Sequence, residues 1–404
     1  MSETTETGSP KLRHMNVVDR RTYLAAQCGL SVADLDILQS GGMTLEKASC
    51  LSDNVVGVHT LPIGLATNFV INGSRVDYVP MCIEEASVVA SASRGAKCFA
   101  AGGGFTACAT DPVMTVQVCL LGVKGVFRKI QTEIVRAQPK IKELVNATML
   151  NMVKRGGGFS GVEVHQARSY RSGASKQRFV IVETHVNVCD AMGANIVNTV
   201  GETLKPFLSK LLGASSVLMS ILTNLPLRRK VQVSGVVPLE MLRTATMSGE
   251  EVRDRIVLAG AFADAYTFRA ATHNKGIMNG IDAVALATGQ DWRAIEAGAH
   301  GYAALGGHYQ SLSEWSVCSA TGNLQGNLVL PLAVGTVGAC ITAQPSAVVA
   351  LKVLGNPDAR TLAEIMGSVG LAQNFSALHA LVTDGIQKGF GKHYERQQAL
   401  VASR

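Results

Sequence analysis

The sequence predicts an α+β protein in which a large, helix-rich domain is interrupted by a small α+β insert. Three observations carry this. Between Pro112 and about Asn224, strand-like β-branched runs alternate with helical segments. On both sides the sequence is glycine-rich and helix-dominated. The insert's first strand is not followed by a GxGxxG turn, so a Rossmann-type sheet is not supported.

Taken in order, the leader MSETTETGSPKLRH (residues 1–14) is polar and lacks the apolar core of a secretory signal, so it is expected to be disordered. Val17 to Leu38 has helical spacing, with a capping box starting at Ser31 and ending on Asp34. From Val55 to Val79 β-branched content rises around Asn72-Gly73, a hairpin signal. Glu84 and Glu85 open a small-residue helix over residues 86–101, broken by Gly102-Gly103-Gly104. The insert, residues 112–224, begins with the strand VMTVQVCLLGV. A charged helix (129–153), a break at Gly156-Gly157-Gly158, and the strands VEVHQA and RFVIVETHVNV follow. Two βαβ-like halves of this size suit a ferredoxin-like unit. The large domain then comprises residues 15–111 and 225–384. The uncharged run from Trp315 to Leu351 is broken by Asn323, Gln325, Pro331, Gln344 and Pro345, which predicts buried strand-turn-helix structure and no membrane span.

Composition narrows the function classes. At 404 residues, with 47% hydrophobic and 17% charged residues, the chain can bury a sizeable core. The formal charge of +7 is scattered and aromatics make up 5%, so no nucleic-acid stripe is expected; the excess suits a polyanionic small ligand. Nine cysteines without a CxxC fit neither a disulfide framework nor a zinc site, and no metal site is expected. Buried thiols imply a reducing, cytoplasmic compartment.

The most informative stretch is RAATHNKGIMNGIDAVALATGQD, Arg269 to Asp291. Lys275 stands there among Asn274, Gly276 and Asn279, with Asp282 and Asp291 the nearest carboxylates. An ammonium held by amides and a carboxylate in a dry pocket would stabilise an oxyanion formed at a carbonyl. The plainer alternative is a lysine at a helix end beside a glycine-rich turn.

This stretch, continued through GQDWRAIEAGAH to His300, resembles the class II 3-hydroxy-3-methylglutaryl-CoA (HMG-CoA) reductases. VPMCIEEASVVAS (79–91), GGGFTA (102–107), CDAMGANIVNT (189–199) and GLAQN (370–374) extend the resemblance from about Arg13 to Gly389. It implies a cytoplasmic, NADH- or NADPH-dependent reduction of HMG-CoA to mevalonate and CoA by a homodimer, or an assembly of dimers, with sites shared between subunits. It also implies roles. Glu85 would be the proton donor, where the alternative is a helix-start acid favoured by the dipole. Lys275 would stabilise the oxyanion, and Asp291 would link Lys275 to Glu85. Arg13, Ser87, Arg269, Asn279 and Gln373 would bind substrate. Asp190, Met192, Gly193 and Asn195 would bind the nicotinamide nucleotide, although Asp190 also reads as an ordinary N-cap.

Met149 stands where NADH-preferring members have an aspartate, and Lys154 and Arg155 stand nearby to receive an extra phosphate, which leans toward NADPH. Three departures accompany these: Phe268 for a tyrosine, Asp53 for a glutamate, and Ala339-Cys340-Ile341 where glycines and a threonine are usual. In the segment 385–404, expected to be a shortened C-terminal lid, Phe390 replaces the histidine that protonates departing CoA. His393 is the possible substitute acid, or an exposed helix histidine. The departures carry an alternative reading, a degenerate paralogue that binds acyl-CoA or a partner subunit with little turnover.

Overall fold

The computed structural model describes residues 12–85, 87–169 and 177–386. The side chain of Arg13, the first eleven residues of the leader, and the lid segment with Phe390 and His393 lie outside the described residues.

A short 3₁₀ turn precedes three helices, α1 (Val17–Cys28), α2 (Val32–Ser40) and α3 (Leu45–Leu51). The box at Ser31 is formed: its hydroxyl accepts from the Asp34 N–H, and the Asp34 carboxylate accepts from the Ser31 N–H. Strands β1 (Ile63–Ala66), β2 (Phe69–Ile71), β3 (Ser74–Val76) and β4 (Val79–Cys82) follow. Asn72 and Gly73 turn the β2–β3 hairpin with φ of 51° and 76°, the doubly left-handed turn that suits strand twist. Next come α4 (Val88–Ala101) and β5 (Phe105–Ala109).

The insert contains β6 (Val113–Leu121), α5 (Phe127–Thr148), α6 (Leu150–Val153), β7 (Gly158–Arg168), β8 (Arg178–Asn187), α7 (Ala194–Leu212) and β9 (Ser216–Leu222). Its antiparallel sheet runs β7-β8-β6-β9, and α5 and α7 pack against one face. Alternation explains this: Val116, Val118, Leu120, Val164, Val180 and Val182 point to the helices and form a core of their own.

The chain then returns through β10 (Lys230–Val237), α8 (Leu239–Leu242), α9 (Gly249–Ala265), α10 (Thr267–Ala287), α11 (Trp292–Ala303), β11 (Ser313–Val317), β12 (Leu324–Pro331), α12 (Ala339–Thr342), α13 (Pro345–Val353) and α14 (Ala359–Val382). A six-stranded sheet, β11-β12-β10-β5-β2-β3, draws on segments from both sides of the insert. The uncharged run 315–351 is thus a β-hairpin followed by two short helices. The one described helix long and apolar enough to cross a membrane is α14, and 78% of its apolar window is buried. It lies at the centre of the larger core, where the rings of Phe69, Phe99, Phe105, Trp315 and Phe375 pack against one another.

Gly95 makes the α4–α14 crossing possible, because a Cβ there would lie 2.2 Å from the Ala372 carbonyl oxygen. Gly276 on α10 faces no atom within 4 Å. Gly95→Ala is expected to cost about 1–3 kcal/mol through overpacking. Gly276→Ala should be neutral or gain up to about 1 kcal/mol from helix propensity. Denaturant midpoints of the two variants check the contrast.

Candidate active site

Strand β4 packs against α10, so the turn leaving β4 arrives beside the middle of that helix. There the Lys275 Nζ lies 3.5 Å from Glu85 Oε2. The Ser87 hydroxyl, itself buried, donates to the other carboxylate oxygen, Oε1, at 3.2 Å. Three residues predicted from the sequence are thereby brought together.

Their surroundings differ from the dry pocket expected. The Lys275 side chain is 64% exposed and that of Glu85 47%. Helix geometry is the reason: α10 buries His273 and Asn274, and the next residue, a little over a quarter-turn on, faces out. The Asn274 amide is occupied on the buried side. It donates to the Tyr309 hydroxyl (3.0 Å) and the Gln310 carbonyl (2.8 Å) and accepts from the Leu312 N–H. Nor is Lys275 at a helix end. Glu84 is exposed as well, so within one chain it lends Glu85 no burial.

Asp291 does not link the pair. It caps α11, accepting from the Ala294 N–H at 3.1 Å, and pairs with Arg293 at 3.4 Å. From Lys275 to the end of α10 is about 18 Å at 1.5 Å per residue, and Asp291 lies beyond that end.

Of the expected substrate-binding residues, Arg269 and Asn279 are half-buried on α10. Gln373 on α14 is buried, its Oε1 has no hydrogen-bond partner, and its Cβ packs where α10 carries Gly280.

The expected cofactor-binding residues gather on two adjoining turns of the insert. Gly157 lies against the Asn187 carbonyl and Cys189 Sγ, and the Cys189 thiol contacts the Arg155 carbonyl at 3.6 Å. Lys154 and Arg155 are exposed there, as is Asn195 in the first turn of α7. Gly193 supplies the left-handed N-cap of α7 at φ 97°, and Met192 is half-buried. Asp190 does not cap the helix that follows it. Its Oδ1 accepts from the Ala359 N–H that opens α14, and its carbonyl accepts from the Thr336 N–H. Met149 faces the insert's core at 3% exposure, because the chain kinks between α5 and α6 there, so it offers no surface to a ribose.

Two residues that hold this region were not anticipated. Arg229, 4% exposed, donates to the carbonyls of Ala191 and Met192 and, very closely, to that of Val334. Burial lowers its pKa to about 10, opposed by the charge of Asp190. Gln290 pairs its amide with both the N–H and the carbonyl of Gly335. A basic residue just before a strand and an amide after a glycine were the only signals in the sequence.

Behind Lys275 lies a polar chain. Asp282 shares the α10 stripe of Lys275 and Asn279. Burial first, and then the adjacent Glu296 carboxyl, raise its pKa. His300 hydrogen-bonds Glu296 at 2.6 Å, which lowers the Glu296 pKa and raises that of His300. The other ring nitrogen of His300 meets the Tyr309 hydroxyl at 2.6 Å, which returns to Asn274. The i,i+4 Glu296/His300 spacing was the available signal.

The stability consequence has a definite sign. A folded pKa raised above the unfolded value of about 3.9 gives Asp282 a contribution present at low pH and lost as pH rises toward its folded pKa. His300, also raised, acts in the same direction from about 6.5 upward. Asp282→Asn, which keeps a donor toward Glu296, should gain stability over the native chain as pH rises from 5 to 8, by at most about 1.4 kcal/mol per unit. Urea unfolding at several pH values checks this; a pH-independent difference would contradict it.

Comparison with known proteins bears on the whole chain. A family model described as hydroxymethylglutaryl-coenzyme A reductase matches residues 16–395. The chain is 40% identical over 394 residues to the 3-hydroxy-3-methylglutaryl-coenzyme A reductase of Archaeoglobus fulgidus, covering 97% of this chain and 87% of that one. It is 30% identical over 385 residues to a probable enzyme of the same name from Borreliella burgdorferi, covering 94% and 84%. The fold is similar to the class II reductase of Streptococcus pneumoniae bound to NADPH in open conformations, with TM-score 0.86, 40% identity, and coverage of 92% and 99%. A second structure of the reductase from that organism gives TM-score 0.87, with 97% and 91% covered. A match of this extent places the chain in the hydroxymethylglutaryl-coenzyme A reductase family.

Proposed function

We propose that the chain reduces the thioester of HMG-CoA to mevalonate and free CoA, with Glu85, Lys275 and Asp291 as its catalytic residues. The observation that carries this is the exposed Lys275–Glu85 pair with Ser87 on the free carboxylate oxygen. An ion pair so open to solvent contributes at most about 1 kcal/mol to stability, so its placement beside the middle of α10 answers to chemistry. Two successive molecules of NADH or NADPH would each supply one hydride when bound, the first for the thioester carbonyl and the second for the aldehyde left after CoA thiolate departs. Lys275 stabilises the negative charge that each hydride addition places on the oxygen, and Glu85 delivers the proton. Arg269 is a natural bidentate partner for the substrate's free carboxylate. Lys154 and Arg155 suit the nucleotide phosphates, beside a loop at 190–193 that Arg229 and α14 hold in place.

The sharing of the site between subunits that the family resemblance implies also accounts for Asp291. One chain leaves it beyond the end of α10, so it completes the pair from the partner of a homodimer. The same closure would bury Lys275 and Glu85 and bring Glu85 toward the raised pKa that an acid needs at neutral pH. Cytoplasmic residence fits this reading, since both substrate and nucleotide are soluble.

The thiolate released in the first half-reaction needs a proton, and Phe390, at the position aligned with the family's histidine, cannot supply one. Loss of a general acid typically costs about 10²–10⁴ in rate without abolishing it. Two substrates separate the steps, because free mevaldehyde never releases a thiolate. Lys275→Ala should lower kcat with both HMG-CoA and mevaldehyde by about 10²–10³, with little change in Tm. Phe390→His should raise the HMG-CoA rate alone. Failure of the native chain with both substrates would favour the non-catalytic paralogue.

A further inference from the structure

On the face of the insert's sheet that α5 and α7 do not cover, the same tripeptide pattern occurs twice: Glu163-Val164-His165 in β7 and Glu183-Thr184-His185 in β8. The strands are antiparallel and Glu163 is directly opposite Glu183. With side chains alternating along each strand, both acids and both histidines therefore fall on one face. Like charges directly opposite on a sheet are destabilising unless a cation lies between them.

The separations fit a cation held by Glu163, His165 and Glu183. His165 Nε2 is 3.5 Å from Glu163 Oε2 and 3.4 Å from Glu183 Oε2. Ligand atoms of Glu163, His165 and Glu183 all lie within 4.8 Å of one another. His185 Nε2 is 3.7 Å from Glu163 Oε1. Ligands at about 2.0–2.1 Å from a tetrahedral ion are about 3.3–3.4 Å apart, so the first two separations need almost no adjustment.

His185 points to a ligand independently of the acids. Its side chain is 3% exposed, yet Nε2 has no hydrogen-bond partner. Its Nδ1 is held by the Thr115 hydroxyl at 2.9 Å, which fixes the ring and aims Nε2 at Glu163.

The acids are positioned in the same manner. Gln117 donates to Glu183 Oε1 at 2.7 Å and Arg228 holds Glu163 Oε1, leaving each Oε2 directed at His165. Partners that fix one atom of each ligand and leave the other free are the arrangement by which proteins orient metal ligands.

We propose that Glu163, His165 and Glu183 bind one divalent transition-metal ion of the zinc type, joining β7 to β8, with the buried Nε2 of His185 facing the Glu163 carboxylate beside it. An imidazole beside two carboxylates favours zinc or cobalt over magnesium, which keeps a hydrated octahedral shell of oxygens. Arg228, bonded to Glu163, is the neighbour of Arg229, so the ion would also steady the loop at 190–193.

The test uses the full chain without an affinity tag, stripped with a chelator and titrated with Zn²⁺ by calorimetry. His165→Ala and Glu183→Gln serve as variants; His165 is about half exposed, so its replacement should leave the fold intact. The expected result is one Zn²⁺ per chain, a Tm that rises on binding, and affinity at least tenfold weaker in both variants, whose metal-free Tm and circular dichroism match the parent. Co²⁺ should give the visible bands of a four-coordinate site in the parent and lose them in the variants. No binding by the parent, unchanged affinity in both variants, or equal competition by Mg²⁺ would each overturn the proposal. None of these outcomes depends on reductase activity.

Discussion

Because Gly280 and Gly370 carry no side chains, α10 and α14 approach closely. A Cβ on Gly280 would lie 3.0 Å from Val369 Cγ1, and one on Gly370 2.9 Å from Ile281 Cδ1. This contact fixes the rotation of α10 about its axis, and the rest of the site follows from that rotation. With Ile277, Ile281 and Val284 turned into the core, His273 and Asn274 are buried as well, and Lys275, Asn279 and Asp282 take up the outer stripe. The lysine side chain is long and open to solvent, but its Cα is set by a close-packed interior that tolerates little displacement.

Arg229 plays the corresponding part between the two cores. A guanidinium this buried is costly unless its donors are satisfied, and here backbone carbonyls on the 190–192 turn and at Val334 satisfy them. Gln290 holds the same segment from the other side through Gly335, and Asp190 joins it to the start of α14. The turn expected to meet the nucleotide is therefore tied to the helix whose packing positions Lys275, and the two parts of the reaction share one frame.

Much of this was legible in the sequence, for identifiable reasons. The strands of the insert announce themselves by β-branched alternation, the hairpin by Asn72-Gly73, and the capping box by Ser31 and Asp34, all signals that act over a few residues. Lys275 stands out by its amide and glycine neighbours, Glu85 and Ser87 by resemblance, and their meeting depends on β4 lying against α10, a contact between residues about 190 positions apart in sequence. What could not be read was direction and depth. The amides beside Lys275 looked like its partners, but in a helix the neighbour in sequence points elsewhere, and Asn274 serves Tyr309 instead. Met149 looked like a ribose contact by alignment and is a core residue, because one kink between α5 and α6 turns it inward. Arg229 and Gln290 act through backbone carbonyls and amides, which carry no residue signature at all. The two Glu-x-His repeats carry no spacing signal of their own, since their proximity comes from strand register.

On the proposed reading, the exposed Lys275–Glu85 pair is one half of a site that Asp291 of the partner subunit completes. Co-expression of Lys275→Ala with Asp291→Asn chains, each separately tagged so that mixed dimers can be isolated, tests this most directly. Asparagine is as good an N-cap as aspartate, so the second substitution should leave α11 intact. If the halves come from different chains, a mixed dimer contains one site with both groups native and should reduce HMG-CoA far faster than either parent dimer. Mixed dimers no more active than the parents would contradict the account and place all three residues at a site within one chain.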